Sequence, residues 1–233
     1  MIACQAAGQT NFAGHQNKIF MKTFIINLAL LAVIIHFVHP GYAQGTFDLQ
    51  QLLKEKKLVT YDYRVVSISD GNRKGISLSG TVWLKDMEFS SGTIEIDLRG
   101  KDVFQQSFIG IAFHGIDTTV TDIIYFRPFN FRSEDPVRRI HAVQYVSAPD
   151  FSWHKLRTEK NGMYEKAVNP APAATDWFRA RIVVDDKTIN VYVNDAKSPS
   201  LTVNKLNDRK TGMIGLWNEG LPGDFANLSI RPE

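Results

Sequence analysis

The chain has 233 residues, 27 Lys and Arg against 24 Asp and Glu, and a single cysteine, Cys4. That composition excludes a disulfide framework and a cysteine-built metal site, and the small charge excess excludes an electrostatic footprint for nucleic acid. The length suffices for one large domain or two small ones, with a full core and no staples.

Residues 1–20 fit no targeting pattern and are followed by a second methionine, so they are read as an extension outside the native chain, with Met21 as the start. Residues 21–43 then carry Lys22, an apolar run from Phe24 to Val38, a break at Pro40-Gly41, and small residues through Ala43. This layout predicts a cleaved secretory signal, Gln44 as the first mature residue, and a secreted or periplasmic destination. The apolar run falls short of the ~20 residues that span a bilayer, so no membrane span is expected after cleavage. Cleavage removes Cys4, Lys18 and Lys22 but no acid, which leaves a nearly neutral chain. Its remaining histidines are His114, His141 and His154, too few for a histidine-rich metal centre.

One short helix is predicted after Asp48, which can cap a segment with Leu49, Leu52 and Leu53 on one face. From Val59 onward the apolar period is two. Strand-like runs are predicted over 59–69, 75–80, 92–100, 107–115, 121–131, 141–147, 177–184, 188–194, 211–217 and 224–230. Turn signals such as Ser69-Asp70-Gly71-Asn72 separate them, and no long helical period intervenes, which excludes a doubly wound α/β sheet. Alternation assigns faces: Ile94, Ile96 and Leu98 point one way while Glu95, Asp97 and Arg99 point the other. One-sided strands of this kind predict an all-β, two-sheet antiparallel sandwich over 44–233, with a closed barrel as the rival architecture. Residues 148–176 are predicted as a long loop, holding Trp153, His154, Arg157, Tyr164 and Glu165, and long loops tend to carry function.

The C-terminal third reads Trp177, strand, tight turn, strand, then Gly212-Met213-Ile214-Gly215-Leu216-Trp217 and Asp224-Phe225-Ala226-Asn227-Leu228. That succession resembles the last strands of the concanavalin A-like (jelly-roll) lectin/glucanase superfamily, including laminin-G-like domains and the domain described as 3-keto-disaccharide hydrolase. Upstream, 89–100 followed by 107–115 resembles the paired strands that precede the binding groove in those proteins. The resemblance covers about residues 75–230 and implies the fold more than the activity, because this fold hosts lectins, hydrolases, lyases and adhesive domains alike. Family-16 glycoside hydrolases of this fold place two catalytic glutamates on one strand. Here Glu95 and Asp97 are followed by Arg99 and Gly100, and their strand precedes the expected position, so that mechanism lacks its carboxylates. Glu95 and Asp97 are read instead as a solvent-facing charge pattern paired with Arg179 or Arg181 across strands.

The resemblance implies a groove over the strands of 107–115, 121–131 and 141–147, lined by His114, Tyr125, Arg127, Asn130, Gln144 and Tyr145, with Trp153 and Glu165 at the rim. Aromatic faces and polar forks of this kind suit a sugar. Alternation lets Tyr125 and Arg127 share a face but separates Gln144 from Tyr145. Residues 132–141 are read as a solvated hairpin or as an Arg clamp for an anionic sugar; Trp217, facing away from Ile214 and Leu216, is read as packing under a neighbouring loop, with a stacking platform as the alternative. Asp70-Gly71-Asn72 and Asp185-Asp186 offer oxygens without the spacing of a calcium loop, so no cofactor is assigned beyond the structural calcium some superfamily members hold. The expected function is a secreted domain that binds an oligo- or polysaccharide. A glycoside hydrolase or polysaccharide lyase using His114, His141, His154, Tyr or Glu165, and an adhesive domain without a small ligand, are the alternatives.

Overall fold

The computed structural model describes residues 41–42, 44–61 and 64–233. The extension and all of the signal segment except Gly41-Tyr42 lie outside the described residues. Asp48 caps the helix α1 (Leu49–Lys54) by accepting from the backbone N–H groups of Gln50 and Gln51, and Leu49 and Leu52 are its buried face. The strand expected over 59–69 is two, β3 (Leu58–Thr60) and β4 (Val65–Asp70), after the short β1 (Gly41–Tyr42) and β2 (Gly45–Phe47).

Two strands are far longer than the alternation suggested. β5 (Arg73–Phe89) continues past the expected 75–80 run, and β14 (Gly212–Pro232) fuses the two runs expected at 211–217 and 224–230. The first part of β14 pairs with β7 (Ser107–Gly115), its last part with β6 (Gly92–Arg99), and β5 accompanies it on the other side through both. A register shift between Asn218 and Gly223 marks where β14 passes from one layer to the other.

One layer then runs β14, β7, β8 (Thr121–Phe126), β9 (Val143–Ala148) and the two-residue edge β10 (Glu165–Lys166). The other runs β14, β6, β11 (Phe178–Val184), β12 (Thr188–Val193) and β13 (Leu201–Asn204). The neighbouring strands are antiparallel throughout both ladders. The layers press face to face: the Phe126 ring lies 5.0 Å from that of Phe178, although β8 and β11 are not ladder neighbours. Each such buried ring contributes on the order of 2–3 kcal/mol. The fold is the all-β sandwich, with a short N-terminal helix, that the period-two pattern implied.

The second layer shows the expected one-sided alternation, buried and half-buried in turn along β11 and β12. Its outer face carries the anticipated cross-strand pairs, although Asp97 is buried and not solvent-facing: Arg179 bonds Asp97 at 3.0 Å and reaches Glu95 at 3.5 Å, while Arg231 meets Glu95 at 2.8 Å. β8 differs, because all its residues are buried. The connection from β8 to β9 is not the expected hairpin. Pro128 ends β8, and a 3-10 turn (Pro128–Asn130) and the helix α2 (Pro136–Arg139) take the hairpin's place, with Asp135 accepting from Val137 N–H as N-cap. The expected loop 148–176 contains the helix α3 (Trp153–Glu159), capped by Ser152, as well as β10. Among the described residues no helix is long and apolar enough to cross a membrane.

Candidate functional site

The outer face of the first layer carries one straight cross-strand row. Trp217 on β14 stands opposite Gly110 on β7, Gly110 opposite Tyr125 on β8, Tyr125 opposite Gln144 on β9, and Gln144 opposite Glu165 on β10. Side chains in register on one face are neighbours, so the ladder itself brings together residues up to 107 positions apart in sequence, from Gly110 to Trp217. Gly110 has no side chain, and the Tyr125 and Trp217 rings close over it to 5.1 Å. A Cβ there would lie 2.6 Å from the Tyr125 Cα, so this floor position admits only glycine without displacing β8.

Above the row opens a cleft of about 800 Å³, within the usual size of a small-ligand site. Trp217 is its half-buried floor, and Trp153, half exposed on α3, is one rim. Arg127, buried just past β8, lies over the Tyr125 ring at 4.8 Å and donates to the Tyr125 hydroxyl at 2.6 Å, to the His141 carbonyl at 2.9 Å, and to Gln144 Oε1. Tyr125 also donates to Gln144 Oε1 at 2.8 Å. Asn130, on the 3-10 turn, donates to the same His141 carbonyl and accepts from Arg138 Nε.

Glu165 anchors the far end of the row. Arg157 of α3 grips it in a bidentate fork at 2.9 and 2.7 Å, and Arg127 stands 3.5 Å away. His141 Nδ1 sits 2.8 Å from Glu165 Oε2 in a buried contact that is not aligned as a hydrogen bond. Burial alone would push the Glu165 carboxyl up, but Arg157 first, then the charges of His141 and Arg127, outweigh burial and hold it below the ordinary carboxylate value. Burial pushes the Tyr125 hydroxyl up to about 12, against the pull of Arg127, so it stays a neutral donor. His141 lines the cleft, and with Nδ1 turned to Glu165 its Nε2 is the nitrogen left for a ligand. The Gln144 Nε2 group is buried without a protein acceptor.

The structure thus brings Tyr125, Arg127, Asn130 and Trp153 to one cleft, with Gln144 and Glu165 buried in the same cross-strand row behind its lining. It does not bring His114 there. Alternation would aim His114 outward, but its φ of 50° and the adjoining register shift opposite Met213 and Gly215 form a bulge that turns it into the interior. There His114 is fully buried, with Nε2 2.6 Å from the Ser90 carbonyl and Nδ1 3.3 Å from Asp122 Oδ2. Asp122 also accepts from Tyr145, Asn207 and Arg209, so this cluster ties the 205–211 connection to the sheet. Tyr145 lies on that inner face, away from Gln144, as alternation required. His154 is exposed beside Trp153 and is not a cleft residue.

Of the two readings of Trp217, the structure matches the platform: it floors the cleft and is not packed away under a loop. Its opposition to Ile214 and Leu216 was the available signal. Among the described residues no group of three or more His, Cys, Asp or Glu is placed to hold one metal ion. Asp70 instead pairs with Arg99 and Trp177, and Asp185 accepts from the backbone of Lys187 and Thr188 in its own turn.

Residues 54–231 match the profile of the 3-keto-alpha-glucoside-1,2-lyase-like domain. The chain belongs to that family. This lyase-like domain is also similar to solved structures of concanavalin A-like lectin/glucanase architecture. A Bacillus subtilis protein of unknown function with a galectin-like fold aligns with TM-score 0.52 at 12% identity, over 82% of this chain and 97% of that one. The carbohydrate-binding module CBM66 of Bacillus subtilis aligns at 0.48 and 12%, over 72% and 94%. A β-1,3-glucanase of Mycobacterium marinum aligns at 0.41 and 12%, over 72% and 74%. No curated protein matches the sequence. By its family and its own strand order, the lyase-like domain is a carbohydrate-related β-sandwich.

Proposed function

We propose that the cleft binds a glycoside, with a sugar ring seated on Trp217 and Tyr125 and its hydroxyls bonded by Arg127 and Asn130. The observation that carries this reading is the cross-strand row itself. It sets two aromatic faces beside a fork of polar groups whose donors are fixed by neighbours, and such pre-organised donors satisfy hydroxyls in pairs. Residues 21–43 would export the chain, and the ligand would be an extracytoplasmic oligo- or polysaccharide. The test is calorimetry of residues 44–233 against a panel of glycans, including α-glucosides and their 3-keto forms. Trp217→Ala and Arg127→Ala should each weaken binding by about tenfold or more. A panel in which no sugar binds would refute the reading.

A catalytic reading is favoured by one observation: an imidazole, two guanidiniums and a neutral phenol meet at the Glu165 end of the row. The family's description names elimination across C1 and C2 of a 3-keto-α-glucoside. In such a substrate the ketone at C3 acidifies the C2 proton. His141 Nε2 would take that proton, Arg127 would stabilise the enolate oxygen at C3, and the C1–O bond would break as C1=C2 forms. The proton on His141 Nε2 would then pass to the departing aglycone oxygen, which leaves as an alcohol and returns the imidazole to its starting form. Glu165, 2.8 Å from Nδ1, would face the positive charge that the imidazole carries after the transfer. His141→Ala should slow formation of the ultraviolet-absorbing enone by about 100-fold or more while glycoside binding persists.

A further inference from the structure

Beyond Tyr125 the cleft changes character. Phe108 lies 6.1 Å from Tyr125, Phe129 stands edge-on to Phe108 at 5.5 Å and 87°, and Phe104 stands edge-on to Phe129 at 5.6 Å and 85°. With Val137 these rings form an apolar corner continuous with the polar row. Two of these residues are strongly exposed, Phe104 at 53% and Val137 at 61%, where water covers them in the free protein. Arg138 roofs Phe104 at 4.3 Å, and two of its nitrogens are already bonded, to Asn130 Oδ1 and to the Phe129 carbonyl.

We propose that this corner is an aglycone subsite that takes a planar aromatic group attached to the sugar. The inference rests on the glycoside reading of the cleft and names the class of glycoside. A second sugar would lose water from several hydroxyls at the corner and find few partners there, because three phenyl rings and a valine offer none. An aromatic ring loses nothing comparable. It gains an edge-to-face wall on Phe129, a face on Phe104, and the stacked guanidinium of Arg138. The 6.1 Å step from Tyr125 to Phe108 carries the next ring of a ligand from the sugar floor onto the apolar corner.

The test compares methyl α-glucoside, phenyl α-glucoside and maltose, each also as its 3-keto form, by calorimetry on residues 44–233. Phenol alone is followed by NMR at Phe104 and Val137. The phenyl glycoside should bind about tenfold or more tighter than the methyl glycoside and than maltose. Phe104→Ala and Val137→Asp should bring the phenyl-to-methyl ratio close to one, and phenol should shift both resonances. Equal affinity of phenyl and methyl glycosides, or maltose binding as tightly as the phenyl compound, would overturn the subsite while leaving the glycoside site intact. Phenol shifts without binding of any glucoside would keep the subsite and refute the sugar floor.

Discussion

Replacing Glu165 with Gln tests whether the end of the cross-strand row is held by charge. The carboxylate is 2% exposed and meets the Arg157 fork at 2.9 and 2.7 Å, with Arg127 at 3.5 Å. Arg157 is one-third exposed and recovers water when its partner is lost, but the Arg127 side chain is only 6% exposed and is left charged in the interior. Breaking a fully buried pair costs about 3–5 kcal/mol, and Gln keeps the shape and one acceptor, so a loss of about 2–3 kcal/mol is expected near neutral pH. For a domain of this size that lowers Tm by about 5–10 °C. Because the folded carboxyl is held below its ordinary value, its contribution is complete above about pH 5 and fades as pH falls through the folded value. Urea unfolding followed by tryptophan fluorescence, run on wild type and Glu165→Gln across that range, reads both quantities. A difference under about 1 kcal/mol at neutral pH, or one that does not shrink on acidification, would refute this account of the anchor.

Three more outcomes are expected from the same geometry. Asp122→Ala removes the common acceptor of Tyr145, Asn207 and Arg209 and should cost about 3–5 kcal/mol, with hydrogen exchange rising first across 205–211. Gly110→Ala forces a Cβ against the β8 backbone, so it should cost about 1–3 kcal/mol of stability and also weaken glycoside binding, seen as a lowered Tm together with weakened titrations of the folded protein. Phe178→Ala, at the contact between layers, should destabilise by about 3–5 kcal/mol in chemical melts while the ligand affinity of the folded fraction is unchanged.

The fold was legible because its second layer is buried on one side only. Phe178, Ile182 and Val184 alternate with Arg179, Arg181 and Val183, and that contrast is the period-two signal. The length of β5 was hidden because the Trp83–Met87 stretch mixes buried and exposed residues without a clean period. Helix α3 was hidden in a segment without long apolar periodicity, since only Leu156 is buried along it. At the cleft, alternation paired Tyr125 with Arg127 and separated Gln144 from Tyr145, as the ladder shows. Alternation alone could not supply register, so the rows joining Trp217, Tyr125, Gln144 and Glu165 were invisible. His114 escaped the pattern for a local reason: one residue with positive φ shifts the parity of everything after it.

β14 is the last strand of the domain to be synthesised, yet it is the partner of β2, β5, β6 and β7. Until it emerges, β7 and β6 each lack a central neighbour, and the floor tryptophan does not yet exist. The nascent chain therefore has no route to the complete sandwich until translation of the domain is nearly finished. Closure then needs contacts between distant segments, which makes folding slow and leaves strand edges open to association.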